Sequence, residues 1–331
     1  MHPFRRTLLS ALAAGLSVVA GSAWSQASAP AEWPTKPVRL LVPAAAGTAP
    51  DILARVLGER LARIWGKPVV VDNRPGAGGV IGMVAAKNGE RDHHGLVFTP
   101  ASVITLTPYM YRPTHVDIAN DFTAVAMVGM SPMMAAVRGD SPHNTLADVL
   151  QEAKRNPDKF VVATTFQYSV PHLAAEMLAK ASGVPLRAVP FSGSSQSMSA
   201  VVNGDAQLVL DGIPPLDAMV KGGRLKPVAV FSEERLPKRG QIPAVSENFP
   251  GLNVGGWFGV LAPKGTSAVA MARVHADMAT VLAQPDVIER LDSFGVYPKP
   301  MSQAQFATFW NQERLRWEQV LRDVNAQPVK E

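Results

Sequence analysis

The side chains that could do chemistry are few and scattered. The 331-residue chain has no cysteine, which excludes thiol nucleophiles, thiolate metal ligands and disulfides together. Its seven histidines are scattered apart from one cluster, Asp92-His93-His94. Neighbouring side chains point apart, unlike the i, i+4 pair that grips zinc on a helix, so a surface turn is expected there. The stretch FSGSSQS, Phe191 to Ser197, is rich in hydroxyls but lacks the G-x-S-x-G elbow that presents a nucleophile. Asp211 and His172 have the types of triad partners, yet no serine is singled out for them. No catalytic constellation emerges, and no cofactor or metal is expected.

The glycine-rich stretch VVVDNRPGAGGVIG, Val69 to Gly82, invites a nucleotide reading and fails it. A dinucleotide fingerprint places G-x-G-x-x-G after the first strand of its unit, with a carboxylate at the end of the next strand. Here Ile81 occupies the third glycine position, the strand is the second, and Thr99 stands where the acid belongs. No Gly-Lys-Ser/Thr triplet supplies a P-loop. The corner is therefore read as a tight turn.

What the residues do offer is anion chemistry without charge. Three loops of small or hydroxyl residues follow short apolar runs and open helices: Pro43 to Thr48, Thr164 to Ser169, and Phe191 to Ser195. Helix starts carry unpaired N–H groups and about half a positive charge, enough to hold a carboxylate. Ordinary capping explains any one loop; repetition favours a ligand.

The elements that position these loops alternate. Strands are predicted at Val38 to Val42, Val69 to Val71 and Leu96 to Phe98, with helices after Thr48 and over Val80 to Lys87. Thr48 and Asp51 have capping-box spacing, and Pro50 suits a first turn. Phe122 to Val128 and Met134 to Val137 read as extended, interrupted at Ser131-Pro132. The pattern then restarts. Helices are predicted over Leu146 to Arg155, behind the Thr145–Asp148 capping pair, then Pro171 to Ser182, Ser194 to Val202 and Leu216 to Lys221. Strands between them cover Phe160 to Thr164, Leu186 to Pro190, Gln207 to Leu210 and Lys226 to Phe231. Alternation of this kind implies mostly parallel sheets flanked by helices, and the restart implies two such units. Trp257 to Leu261 is one more extended run, and everything after Pro263 is predicted helical. Phe306, Trp310, Trp317, Leu321 and Val324 make an apolar stripe behind a Ser302–Gln305 capping box, best read as a core-facing helix.

The first 27 residues have the three regions of a secretory signal peptide: Arg5 and Arg6, the apolar run Leu8 to Ala20, then small residues allowing cleavage after Ala27, Ala23 or Ala29. The run is shorter than the roughly 20 apolar residues of a membrane span. The Arg-Arg pair leaves the twin-arginine route open beside the general one. Removing both arginines takes the formal charge from +5 to +3, because no acidic residue precedes Glu32. A mild basic excess suits small anions; it does not argue for nucleic acid.

Taken in order, WPTKPVRLLVPAAAGTAPDILAR, GKPVVVDNRPGAGGVIG, DFTAVAMVG, HLAAEMLAKASGVPLRAVPFSG, NGDAQLVLDGIP and GGWFGVLAPKGT resemble the extracytoplasmic solute receptors of the tripartite tricarboxylate transporter family, the Bug-type receptors. The resemblance spans nearly all of the chain from Trp33 onward. It implies an α/β, two-lobed type II periplasmic binding-protein fold, each lobe a doubly wound, mostly parallel sheet flanked by helices. Residues 33–130 and 256–331 would form one lobe and 131–255 the other. It implies a small organic acid as ligand, held largely by backbone N–H groups and waters. By position it implicates Ala45, Ala46, Gly47 and Thr48 in the first loop and Ser102 after the third strand. On the second lobe it implicates Thr164, Thr165 and Ser169, with Ser194, Ser195 and Asp211 nearby. NRPGAGG becomes the family's structural corner.

The chain departs from that pattern where ligand is handled. Gly47-Thr48 replaces the usual paired glycines, Phe166 and Tyr168 stand at two glycine positions, Phe191-Ser192 replaces Tyr-Lys, and Thr107 replaces Asn. Polar handles go and rings arrive. Phe166 and Tyr168 are accordingly expected to line the pocket and to favour an aromatic or apolar-tailed carboxylate over an aliphatic di- or tricarboxylate such as citrate. The resemblance further implies a monomeric receptor that delivers its ligand to a membrane permease. A sensor serving a membrane signalling protein, or an exported hydrolase, are the alternatives.

Overall fold

Branched, apolar runs become strands where the sequence alternates them with helical periods. In the computed structural model, which describes residues 33–89, 92–111 and 115–328, β1 (Val38–Val42) leads into α1 (Ala49–Trp65). β2 (Val69–Asn73) passes through the glycine corner to α2 (Val80–Lys87). β3 (Gly95–Pro100) is followed by three short helices, α3 (Ala101–Thr105), α4 (Thr107–Met110) and α5 (Ile118–Asp121). β1 pairs in parallel with both β2 and β3. After β4 (Phe122–Arg138) and α6 (Leu146–Arg155) come β5 (Val161–Thr165), α7 (Val170–Ser182), β6 (Arg187–Phe191), α8 (Ser194–Asn203), β7 (Leu208–Gly212), α9 (Ile213–Lys221) and β8 (Leu225–Val230). β5 pairs in parallel with β6 and β7. β9 (Gly255–Pro263), α10 (Ala268–Leu282), α11 (Pro285–Asp292), β10 (Tyr297–Pro298) and α12 (Gln303–Asp323) complete the chain. The predicted signal peptide, residues 1–27, lies outside the described residues.

Parallel strands fix where helices begin. α1, α2 and α3 all start from the carboxyl edge of β1, β2 and β3, and α7, α8 and α9 from the carboxyl edge of β5, β6 and β7. Both rows of helix starts needed for a ligand cleft are thereby set by strand direction.

Two elements differ from expectation. β4 does not break at Ser131-Pro132 but runs for 17 residues. Its first half pairs antiparallel with β9 and β10, its second half with β7 and β8. One strand therefore belongs to both sheet sections, joined in the order β2-β1-β3-β9-β4-β7-β5-β6. Pro132 is tolerated because it lies at the end of the β9 register, opposite Gly255, just before the β7 register opens at Met133; a missing N–H matters least at such a changeover. Gly255 makes the approach possible, since a Cβ there would stand 2.7 Å from the Ser131 carbonyl oxygen. The second difference is β10, two residues paired with Gly129 and Met130 in a stretch expected to be helical.

Each section has apolar cores on both faces, one pair including Leu53, Phe98, Val260 and Trp257, the other Phe160, Leu173, Leu210 and Val209. α12 belongs to both. Phe306 and Trp310 pack in the first section, Trp317, Val320 and Leu321 in the second, so its apolar stripe ties the two together.

Candidate functional site

The β1–α1 loop shows how a helix start is left free. Ala45, Ala46, Gly47 and Thr48 are exposed. Thr48 occupies the N-cap position of α1 but makes no side-chain cap; its hydroxyl donates to the Ala45 carbonyl at 2.6 Å. Asp51, expected to complete a capping box, accepts from the Gly47 N–H at 2.8 Å instead. The cause is Gly47, whose φ of +80° turns its own N–H toward Asp51 and suits only glycine well. Asp51 also pairs with Arg55 at 2.8 Å, and that hydrogen-bonded guanidinium holds its carboxyl below the usual range. Arg55 continues to Asn73 (3.1 Å), which donates to the Ala44 carbonyl (3.2 Å). The loop is thus locked from behind, with the Gly47 and Thr48 N–H groups engaged by Asp51 and the Ala45 carbonyl, while the residues themselves stay exposed.

The glycine corner supports this loop. A Cβ on Gly82 would stand 2.7 Å from Pro43 Cβ, and one on Gly79 would stand 2.8 Å from a Val103 methyl. Only bare backbone lets the first loop, α2 and α3 close together. Thr107 donates to the Gly78 carbonyl at 2.7 Å, and Ser102, half-buried, lies in the α3 turn beside it.

On the second lobe the hydroxyls are largely engaged. Thr164, buried, donates to the Val189 carbonyl at 3.4 Å. Thr165 donates to Ser169 Oγ at 3.2 Å, Ser169 donates to the Thr165 carbonyl, and Ser169 Oγ accepts from the His172 N–H, capping α7. The Phe166 N–H reaches the Phe191 carbonyl at 2.9 Å, bringing the β5–α7 and β6–α8 loops side by side. α8, which opens with Ser194 and Ser195, and α9 have Gly193 and Gly212 as N-caps, with no side-chain cap on either.

The two rings separate. Phe166 is 59% exposed. Tyr168 takes a left-handed backbone (φ +61°), meets His172 edge-on at 6.1 Å and packs on the core that holds Leu106 and Trp317. Burial holds the His172 imidazole pKa below its ordinary value.

Asp211 ends β7 with 6% of its surface exposed. Oδ1 accepts from the Gly212 N–H at 2.7 Å, while Oδ2 is buried without a hydrogen-bond partner. Burial pushes its carboxyl up from the usual range, and the neighbouring Ser194 hydroxyl, though not bonded to Oδ2, and the Gly212 N–H offset part of that. A raised native pKa means that stability falls as pH rises through that pKa, because ionisation is disfavoured only in the folded state. Asp211→Asn keeps the acceptor for Gly212 and removes the charge. The variant is expected to be more stable than the parent at neutral pH, with the advantage vanishing near pH 4; urea melts at the two pH values check this, and a pH-independent difference would reject it.

Within each lobe the predicted residues therefore gather. Among the described residues no hydrogen bond or ion pair joins Ala45–Thr48 or Ser102 to the Thr164–Ser169, Ser194, Ser195 and Asp211 group. Gly193 and Gly212, the bare N-caps of α8 and α9, were missed by sequence reasoning; glycine just before an apolar or serine-rich helix was the available signal.

The family described as tripartite tricarboxylate transporter family receptor matches this chain over residues 53–326. The UPF0065 protein in the gbd 5′ region of Cupriavidus necator is 30% identical over 308 residues, covering 93% of this chain and 92% of its own. A TctC solute-binding protein from Polaromonas, solved without ligand, superposes with a TM-score of 0.80 at 24% identity, covering 88% of this chain and 99% of that one. Rpa4515 of R. palustris, solved with adipate, has a TM-score of 0.71 at 28% identity, covering 90% of this chain and all of its own. No helix among the described residues is long and apolar enough to cross a membrane. A two-lobed α/β architecture with helix starts gathered on the carboxyl edges of its parallel strands agrees with these matches, and the chain belongs to the periplasmic solute-binding receptors of the tripartite tricarboxylate transporter family.

Proposed function

We propose that the chain captures a small organic carboxylate in the periplasm between its two rows of helix starts, as a receptor without turnover, and delivers it to a membrane permease. One contrast carries this reading. α6, α10 and α12 are capped by the side chains of Thr145, Ser267 and Ser302. α7, which follows β5, is likewise capped by Ser169, but α1, α8 and α9, which follow directly from β1, β6 and β7, have no side-chain cap. α8 keeps an N–H at each position of its first turn, α1 keeps those of Ala49 and Asp51 around Pro50, and α9 keeps only that of Ile213 ahead of Pro214 and Pro215. An anion is what such uncapped groups attract. The R. palustris relative was solved with a dicarboxylate, adipate. In this chain the exposed Phe166 ring stands beside the α7 start, and we extend the proposal to an aromatic or apolar-tailed acid.

Thermal shift against benzoate, phthalate, adipate, citrate, succinate and glutamate tests both parts. A ligand at a hundred times its Kd stabilises the folded state by about 2.7 kcal/mol. Aromatic acids are expected to raise the melting temperature most. Preference for citrate or succinate would overturn the aromatic part, and silence across the whole panel would overturn the carboxylate reading. Ligand-dependent co-purification from solubilised membranes separates a permease partner from a signalling one.

A further inference from the structure

We propose that a pocket beside the free edge of β4, lined by none of the residues implicated in carboxylate binding, is a binding site for a soft monovalent cation, Cu(I), held by methionine thioethers and one imidazole. The pocket has a volume of about 430 Å³ and is lined by Met127 of β4, His275 and Met278 of α10, and Met301 in the turn before α12. Met271, His275 and Met278 follow one another at i, i+4 and i+7, so they share a helix face.

The tautomer of His275 is fixed as a ligand's would be. Its Nδ1 lies 3.0 Å from the Val125 carbonyl oxygen. A carbonyl only accepts, so Nδ1 carries the hydrogen, and in the neutral ring Nε2 keeps the lone pair that binds metals. A backbone carbonyl fixing the tautomer in this way is the usual support behind a metal-bound histidine. Gln303 reinforces the same edge, donating to the Ala124 carbonyl at 3.0 Å, with Met271 Sδ 3.8 Å from its Nε2.

The donor set selects the ion. Thioethers and imidazole are soft to borderline ligands that suit Cu(I), whereas Mg²⁺ and Ca²⁺ require oxygen donors and Zn²⁺ favours thiolate, several imidazoles or carboxylate. No carboxylate lines the pocket, no group of three His, Asp or Glu suited to a harder ion occurs among the described residues, and the chain has no cysteine to compete. Met127 and Met278 are themselves buried core residues, and with the half-buried Met301 they line this one pocket.

Competition against bicinchoninate with Cu(I) under anaerobic conditions tests the site on the full folded protein. One Cu(I) per chain is expected to be withdrawn from the probe. The near volume-conserving triple variant Met127→Leu, Met278→Leu, Met301→Leu is expected to bind at least tenfold more weakly, while Met83→Leu, buried elsewhere, matches the parent. Should the triple variant fail to fold, His275→Gln and the half-buried Met301→Leu give the same readout singly, each with a loss of several-fold. Failure of the parent to withdraw copper, or unchanged affinity in the variants that fold, overturns the proposal. So does Zn²⁺ binding that falls in parallel with Cu(I), because the selectivity argued from thioethers would be absent.

Discussion

Replacing Trp317 by alanine is expected to lower the free energy of unfolding by about 3–5 kcal/mol, the range for truncating a large buried aromatic. Trp317 is 2% exposed on the second-lobe half of α12 and packs in the core with Leu173, Leu210 and Leu106. Its indole N–H donates to Glu313 Oε2 at 3.2 Å. Glu313 is itself buried and accepts from Arg316, which in turn donates to the side chain and carbonyl of Asn253. Truncation thus opens a cavity and strips one donor from a buried carboxylate, and the two effects act together. Trp257 separates them. It is also fully buried, but its indole N–H has no hydrogen-bond partner. Trp257→Phe is therefore expected to be milder than Trp317→Phe, although both remove the same atoms. Urea unfolding of the three variants measures this. A loss below about 1 kcal/mol for Trp317→Ala, outside the range for such cavities, would mean that α12 is not anchored in the second lobe.

Local hydrogen bonding was the most legible part of the chain. The Thr145–Asp148 and Ser302–Gln305 boxes form as their spacing predicts, because both partners lie within one turn and nothing upstream interferes. Thr48 and Asp51 have the same spacing and fail, because the glycine at position 47 diverts the Asp51 carboxylate to its own N–H. Long-range pairing was less legible. Pro132 is a strand breaker by local rules, yet β4 continues through it, since its partners change from β9 to β7 at that point. β10 is two residues long and has no periodicity to detect. In the candidate site, the loops at strand ends could be read from composition. Which rings stay open could not: Phe166 and Tyr168 are two residues apart, and the left-handed turn at Tyr168 sends its ring to the core beside His172.

Placing a carboxylate in the first loop should do to ligand binding what Trp317→Ala does to stability. Ala46 is exposed and lies two residues before the α1 N-cap. An aspartate there can reach the open N–H groups of the helix start and occupy them in place of a ligand. It also sets like charge against an incoming acid, which costs several kcal/mol where water is excluded. Ala46→Asp is expected to weaken binding of whichever acid the panel identifies by at least tenfold, and each tenfold is about 1.4 kcal/mol. Ala46→Asn is the control. It has the same shape and no charge, so it should bind within a few-fold of the parent. The folded state should tolerate both, since a carboxylate near a helix N-terminus is stabilising by roughly 0.3–1 kcal/mol. Calorimetry on the two variants decides between charge and shape. If Asp and Asn weaken binding equally, the loop contributes contact rather than an anion site. If neither variant changes affinity, the acid is held elsewhere and the free start of α1 has another purpose.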